Sequence, residues 1–354
     1  LAGATLPLLV AGAGGPAGAA MGRLYALNTL GAVAGVLATG LWAIGAYGVS
    51  ATGYGLAALG ALVGAAAWML PGADLPATPL GAAAVADPTR PTGGWLWAAA
   101  LCGFASLGEE VLWTRALTAQ FNASTYAFSA ILAVFLLGLA LGAAAAARIL
   151  NRGGSPLPWL VATQVAASFV VAWSPKALQL AEAAVHGYVG IRQVGGQGAW
   201  LAMLGTGLLR TALALLPPTL LLGFALPLLV GAAAGRLSAA RATAWLASAN
   251  ALGGVLGSLG ARFVLLPLLG VVRGLAVLAV LHGAIALVAC RALLPRGLHL
   301  GLVFAWLAVV VATLPKAEPP LGRLARGHKV LLVDEGVQDT TAVVQMAGSP
   351  PVRQ

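Results

Sequence analysis

The chain has 354 residues, of which 60% are hydrophobic and 8% charged, with a mean hydropathy of +0.95. Soluble domains carry roughly 25% charged residues, so this composition excludes a water-covered globular surface. The net charge of +10 comes from basic residues near the ends of apolar runs. That points to topology and headgroup contact, and no basic helix with interleaved aromatics argues for nucleic acid. Apolar runs of about 17–25 residues recur, the length needed to cross roughly 30 Å of hydrocarbon. Ala, Leu and Gly dominate them and strand-like alternation is rare, which argues for an all-α membrane bundle over a β-barrel.

The chain enters apolar sequence at Leu1 without a basic signal-peptide region, and reads as an interior point of a longer protein. A short apolar piece at 1–13 ends at Gly14, Gly15 and Pro16, and spans follow at about 22–47 and 49–70. Residues 1–70 form the end of a first membrane repeat. The stretch 71–94, with Pro71, Pro76, Pro79, Pro88 and Pro91, reads as a solvated linker. The second membrane repeat, 95–294, holds spans near 95–119, 124–149 and 157–174, then 240–268 and 271–292. Between them, 176–190 reads as an amphipathic interfacial helix opened by Pro175, and 199–233 as a long apolar region interrupted by Pro217-Pro218. An additional candidate span lies within 295–314, at 297–314, giving about nine or ten crossings. The tail, 315–354, has strand-like runs at 328–334 and 339–345, the beginning of a soluble β-containing domain.

Two segments repeat. Asn28, Leu30, Gly31, Val33, Gly35, Leu37 and Gly48 match Asn250, Leu252, Gly253, Val255, Gly257, Leu259 and Gly270 at one offset. GATLPLLV at 3–10 also parallels GFALPLLV at 223–230. Internal duplication is the sequence trace of transporter-like, MFS-like architecture. The second copy has spans ahead of its LPLLV segment and the first has none, so the equivalent spans are expected upstream of Leu1. The pairs Gly31–Gly35, Gly253–Gly257 and Gly138–Gly142 have the four-residue spacing of small-residue helix contacts.

Glu109 and Glu110 are the most conspicuous intramembrane acids, and ionisable groups in lipid are costly and paired or water-facing. Arg115, five residues after Glu110, lies on another helical face. Their cationic partner is therefore expected among Arg115 of a neighbouring packing, Arg210, Arg262 and Arg23. An interfacial charge pair that only anchors the helix weighs equally against a polar cavity. Asn28 and Asn250 sit early in corresponding spans as interhelical hydrogen-bond glue or ligand contacts. Arg210, ahead of the proline break, either faces a cavity or snorkels to the surface. His186 and His282 lack ligand spacing, so no metal site is expected. No glycine run has the strand–turn–helix context of a nucleotide loop.

GFASLGEEVLWTRAL at 103–117 with STYAFSAILAVFLLGLALGA at 124–143 resembles the early-span signature of membrane-bound spermidine synthase-like proteins, described as fused MFS-type transporter/spermidine synthases. GRLYALNTLGAVAG at 22–35, LPPTLLLGFALPLL at 216–229 and the tail DEGVQDTTAVV at 334–344 are also similar to family segments. The resemblance implies a bacterial inner-membrane protein with a downstream aminopropyltransferase domain, using decarboxylated S-adenosylmethionine as co-substrate and a diamine such as putrescine. That domain's glycine-rich site and catalytic aspartate are not in this sequence, so no catalytic, cofactor or metal residue carries over. Glu110, Trp113 and Arg115 match the signature, whereas Glu109 stands where an aromatic residue is expected.

The leading expectation is a membrane region that anchors or feeds a polyamine-forming domain. The alternatives are a small-solute or polyamine transporter and a noncatalytic scaffold. The lipid bilayer is the one partner the composition itself demands.

Overall fold

The computed structural model describes residues 2–69, 93–121, 125–188, 197–234, 237–290, 306, 329–336 and 340–345. The linker at 71–94 and, apart from Trp306, the candidate span at 297–314 fall outside or almost wholly outside these residues. The described chain is a helical bundle followed by one hairpin: α1 Ala2–Gly12, α2 Ala17–Ala38, α3 Ile44–Met69, α4 Gly93–Phe121, α5 Thr125–Asn151, α6 Pro156–Tyr188, α7 Gln197–Gly223, α8 Ala225–Ala233, α9 Ala239–Gly260 and α10 Leu266–Cys290. Five helical stretches are long and apolar enough to cross a membrane: Ala17–Met69, Phe128–Asn151, Pro156–Glu182, Gly205–Ala233 and Ala239–Cys290.

The two longest stretches, of 53 and 52 residues, would each reach about 80 Å if straight. Neither is. Each contains a π-helical segment, Thr39–Ala43 or Ala261–Leu265, followed by a glycine in left-handed backbone: Gly48 at φ 77° and Gly270 at φ 70°. Only glycine takes that conformation without a Cβ penalty, so it breaks each rod there. Every one of these features recurs 222 residues later: Ala17 to Ala239, Thr39 to Ala261, Ile44 to Leu266 and Gly48 to Gly270.

Small residues set the helix contacts. A Cβ on Gly253 would strike the Ala100 carbonyl, on Gly257 that of Phe104, and on Gly103 that of Asn250. Thus α4 and α9 run side by side in the same direction with backbones almost touching, the arrangement that small-residue ridges permit. Gly138 and Gly142 likewise lie against Thr219 and Leu220 of α7. α2 runs antiparallel to α5, with Gly18 beside Leu150, Gly22 beside Ala143 and Ala147, and Gly40 beside Ser129. Gly31 and Gly35 differ from the expectation: a Cβ at either would meet nothing within 4 Å among the described residues.

Two sequence expectations are corrected. The region 199–233 does not break at Pro217-Pro218; α7 continues through both prolines and the interruption falls at Phe224, between α7 and α8. Packing of α7 against α5 and α6 holds the helix across the missing N–H groups. Residues 176–188 are not a separate interfacial helix. They continue α6 beyond Pro175, with Leu178 and Ala181 buried.

Two apolar clusters fill the bundle. One gathers Cys102, Leu150, Phe224, Leu228, Leu246 and Ile285; the other gathers Leu112, Trp113, Phe135, Leu215, Leu266 and Leu278. At the chain's other end, β1 Lys329–Glu335 pairs antiparallel with β2 Thr340–Gln345, from Lys329 opposite Gln345 to Glu335 opposite Thr340. These strands coincide with the runs expected at 328–334 and 339–345.

Substituting Gly257→Val would force α4 and α9 apart, at a cost of about 1–3 kcal/mol for overpacking. Thermal unfolding in detergent, followed by tryptophan fluorescence, should show a lower midpoint for this variant. Ser258→Ala, which removes only a bond to the Val255 carbonyl within the same helix, should unfold close to the parent.

Candidate functional site

Between the two apolar clusters, three helices each contribute one buried polar side chain. Glu109 of α4, Gln164 of α6 and His282 of α10 are all 0% exposed. His282 Nε2 lies 2.8 Å from Glu109 Oε1, and Nδ1 lies 2.6 Å from Gln164 Oε1. The close approach of α10 that permits this begins one residue earlier on α4. A Cβ on Gly108 would come within 3.1 Å of Leu278 Cδ1. On the other side of His282, Gly283 leaves room for the ring of Trp306, whose Nε1 donates to Ser168 Oγ at 3.1 Å.

Two oxygens facing the two ring nitrogens are satisfied when one proton lies on each line. Either an imidazolium donates to both oxygens, or a neutral ring donates through Nδ1 and accepts at Nε2 from a protonated Glu109. The two forms differ by transfer of one proton along the Glu109–His282 bond and hold the same total. Glu109 Oε2 and Gln164 Nε2 are buried and have no hydrogen-bond partner among the described residues. Such groups cost about 1–3 kcal/mol each when unmet, so the array is left with unused hydrogen-bonding capacity.

A cleft of about 520 Å³, its mouth included, adjoins the array. Its wall includes Gln164 and His282 themselves, with Tyr25 of α2, Cys102 and Ser106 of α4, and Asn250 of α9. Polar groups from both sides of the 71–94 segment therefore meet at one cavity.

The sequence candidates separate on this geometry. Glu109 is in the array and Asn250 lines the cleft. Glu110 is half-buried. Arg115 lies farther along α4, where its Nη2 donates to the Gly336 carbonyl at 3.3 Å, between the two strands. Arg210 is half-buried on α7, and Asn28 is exposed on α2. Glu109's basic partner is thus a histidine and none of the expected arginines; Arg23, for one, donates to the Gly14 carbonyl at 3.0 Å.

His282 and Gln164 were missed as site residues. The signal was present: a lone histidine inside VLAVLHGAIALV and a lone glutamine inside WLVATQVAAS are both polar groups at membrane depth. Metal-ligand spacing was the wrong test for them, because their partners sit on other helices.

Comparison of the chain with family models, with curated proteins and with solved structures finds no match in any of the three. Fold and site together define a class: a helical bundle with five apolar stretches long enough to cross a membrane, compatible with a multi-pass integral membrane protein, and a buried carboxylate–imidazole–amide array beside a cleft.

Removing one member of a buried hydrogen-bonded pair leaves the other's polar atoms unmet, at about 1–3 kcal/mol each and more where the group is charged. His282→Ala should therefore destabilise strongly, and adding Glu109→Gln to it should restore part of the loss. A double-mutant cycle on unfolding in detergent checks this, and additive effects would contradict direct coupling.

Proposed function

We propose that this chain is the membrane region of a transporter for a small cationic solute, with the Glu109–His282–Gln164 array as its proton-holding element. The observation that carries the reading is the array's position: buried, ionisable and on the wall of a cleft. Ionisable residues at membrane depth mark ion and solute pathways and proton relays. Helices from both parts of the chain line that cleft, with Tyr25 on α2 and Asn250 on α9, and transporter sites lie between repeats. The matching π-segments and left-handed glycines support an MFS-like duplication as the source of those repeats.

The array can release a proton without losing its hydrogen bonds. With one proton fewer, Nε2–H donates to ionised Glu109, and Nδ1 accepts from Gln164 once its amide turns over to present Nε2–H. Turning of a single side chain thus accompanies the change between loaded and unloaded forms. The solute class, a diamine or polyamine, comes from the sequence resemblance and from the acids Glu109 and Glu110. Proteoliposomes with an imposed pH gradient should accumulate labelled putrescine or spermidine above empty vesicles. Glu109→Gln should lower gradient-driven accumulation about tenfold or more while retaining exchange of solute for solute. Flux by the parent protein equal to that of empty vesicles would reject the reading.

A second reading, in which the bundle anchors or feeds a soluble aminopropyltransferase domain in a bacterial inner membrane, is favoured by the hairpin. Arg115, in the signature helix α4, donates to the backbone between the strands, and β1 also packs on α10. A catalytic domain would use decarboxylated S-adenosylmethionine. The full-length reading frame should continue beyond Gln354 into a nucleotide-binding α/β domain with an acidic diamine site. A stop codon soon after that position would count heavily against this reading.

A further inference from the structure

Gln164 belongs to the array and to the cleft at once. It is wholly buried, its Oε1 lies 2.6 Å from His282 Nδ1, and the residue also forms part of the cleft wall. Its other amide atom, Nε2, has no hydrogen-bond partner among the described residues. Beside His282, the space at Gly283 is taken by the ring of Trp306, which is tied to Ser168 one helical turn beyond Gln164. The cleft is thus where the spare half of the amide finds a partner. A carboxamide is a donor at one end and an acceptor at the other. Whichever end His282 takes, the cleft is offered the opposite one.

The cleft wall itself carries no fixed charge: among the described residues it holds no Asp, Glu, Lys or Arg. An ammonium seated there depends on acceptor oxygens and on the charge of the array behind the wall. With its shared proton the Glu109–His282 pair is neutral overall, and Gln164 Oε1 accepts from Nδ1–H. Without that proton the pair carries one negative charge. Nδ1 then accepts, so Gln164 gives it Nε2–H and turns Oε1 outward. Both changes favour a cation: the carboxylate by Coulomb attraction at low dielectric, the amide by replacing a donor with an acceptor. The other titratable groups on the wall are Tyr25 and Cys102. Glu110 follows Glu109 and is half-buried, while Arg23 and Arg115 donate to the carbonyls of Gly14 and Gly336. Arg148, Lys176, Arg210, Arg241 and Arg273 each stand nine or more residues along the chain from the nearest cleft residue of their own helix, which is about 13 Å or more.

We infer that the Gln164 amide is the device by which the cleft reads the array. It shows N–H to the solute while the array holds its proton, and C=O once the proton has left. Proton and ammonium therefore bind in alternation, with one proton released for each ammonium group seated. The proton passes from the Glu109–His282 line to water, and no other covalent bond changes. By linkage, the ammonium draws the proton off as strongly as the proton keeps the ammonium out. The inference rests on the transporter reading and adds to it the residue that discriminates and the stoichiometry of the exchange.

The test uses the full-length protein in lipid nanodiscs, labelled with nitrogen-15 in glutamine side chains and histidine. An N–H···N bond from Gln164 Nε2 to His282 Nδ1 produces a coupling between the two nitrogens, whereas the N–H···O bond of the loaded array produces none. The coupling should be absent at low pH and appear as the pH is raised. In saturating putrescine it should appear about one pH unit lower or more. An unbuffered sample with an indicator dye, set below that midpoint, should release about one proton per putrescine bound. Gln164→Met, which keeps the length and loses the amide, should bind putrescine about tenfold or more weakly. A coupling absent at every pH, present at every pH, or unmoved by putrescine, in a protein that accumulates putrescine in vesicles, overturns the inference and leaves the transporter reading standing. An unmoved coupling together with no accumulation overturns both. The spectra are read on the parent protein, so they can refute the inference even where the Met variant does not fold.

Discussion

A carboxylate and an imidazole cannot stay inside an apolar bundle unless each satisfies the other. Removing an ion of that size from water costs several kcal/mol after relaxation. The Glu109–His282 contact recovers that cost only at hydrogen-bond distance, with Gln164 on the ring's far nitrogen. These three side chains lie on α4, α10 and α6, so the array fixes the mutual register of three helices. A slip of one residue on any of them would leave a buried polar group unmet. Apolar clusters flank the array on either side.

Close helix approach is what makes the array possible. Gly108 brings α10 onto α4 beside Glu109, and Gly103, Gly253 and Gly257 bring α9 onto the same helix a little further along. Trp113 then pins α4 to α6, its Nε1 donating to Ser174 Oγ at 2.8 Å within the buried core. In lipid there is no hydrophobic drive between helices, so such van der Waals and hydrogen-bonded contacts carry the association. The left-handed glycines and π-segments solve a separate problem, turning rods of about 80 Å into membrane-length pieces.

The helical class was legible because apolar runs of membrane length need no long-range information. The contacts of Gly253–Gly257 and Gly138–Gly142, the hairpin strands and the placement of Glu109 within an apolar helix were legible for the same reason: each is a local pattern. What could not be read was pairing. His282 lies 173 residues from Glu109 and 118 from Gln164, and no spacing rule spans such separations. Charge alone pointed to arginines, whereas the basic partner of Glu109 is His282. Proline suggested breaks within 199–233 and after 174, but neighbouring helices held both helices together through it. Gly31 and Gly35 matched their counterparts in sequence and differed in surroundings, a distinction that exists only in three dimensions.

The central contact is His282 held between Glu109 and Gln164, with one hydrogen bond at each ring nitrogen. Solid-state NMR of protein labelled with nitrogen-15 at histidine, in lipid bilayers, reads that state directly. The loaded array should give two His282 ring signals of hydrogen-bonded nitrogens. The Nε2 signal should move when Glu109 is replaced by Gln, and the Nδ1 signal when Gln164 is replaced by Leu. A neutral ring with one unbonded nitrogen, indifferent to both substitutions, would contradict the account.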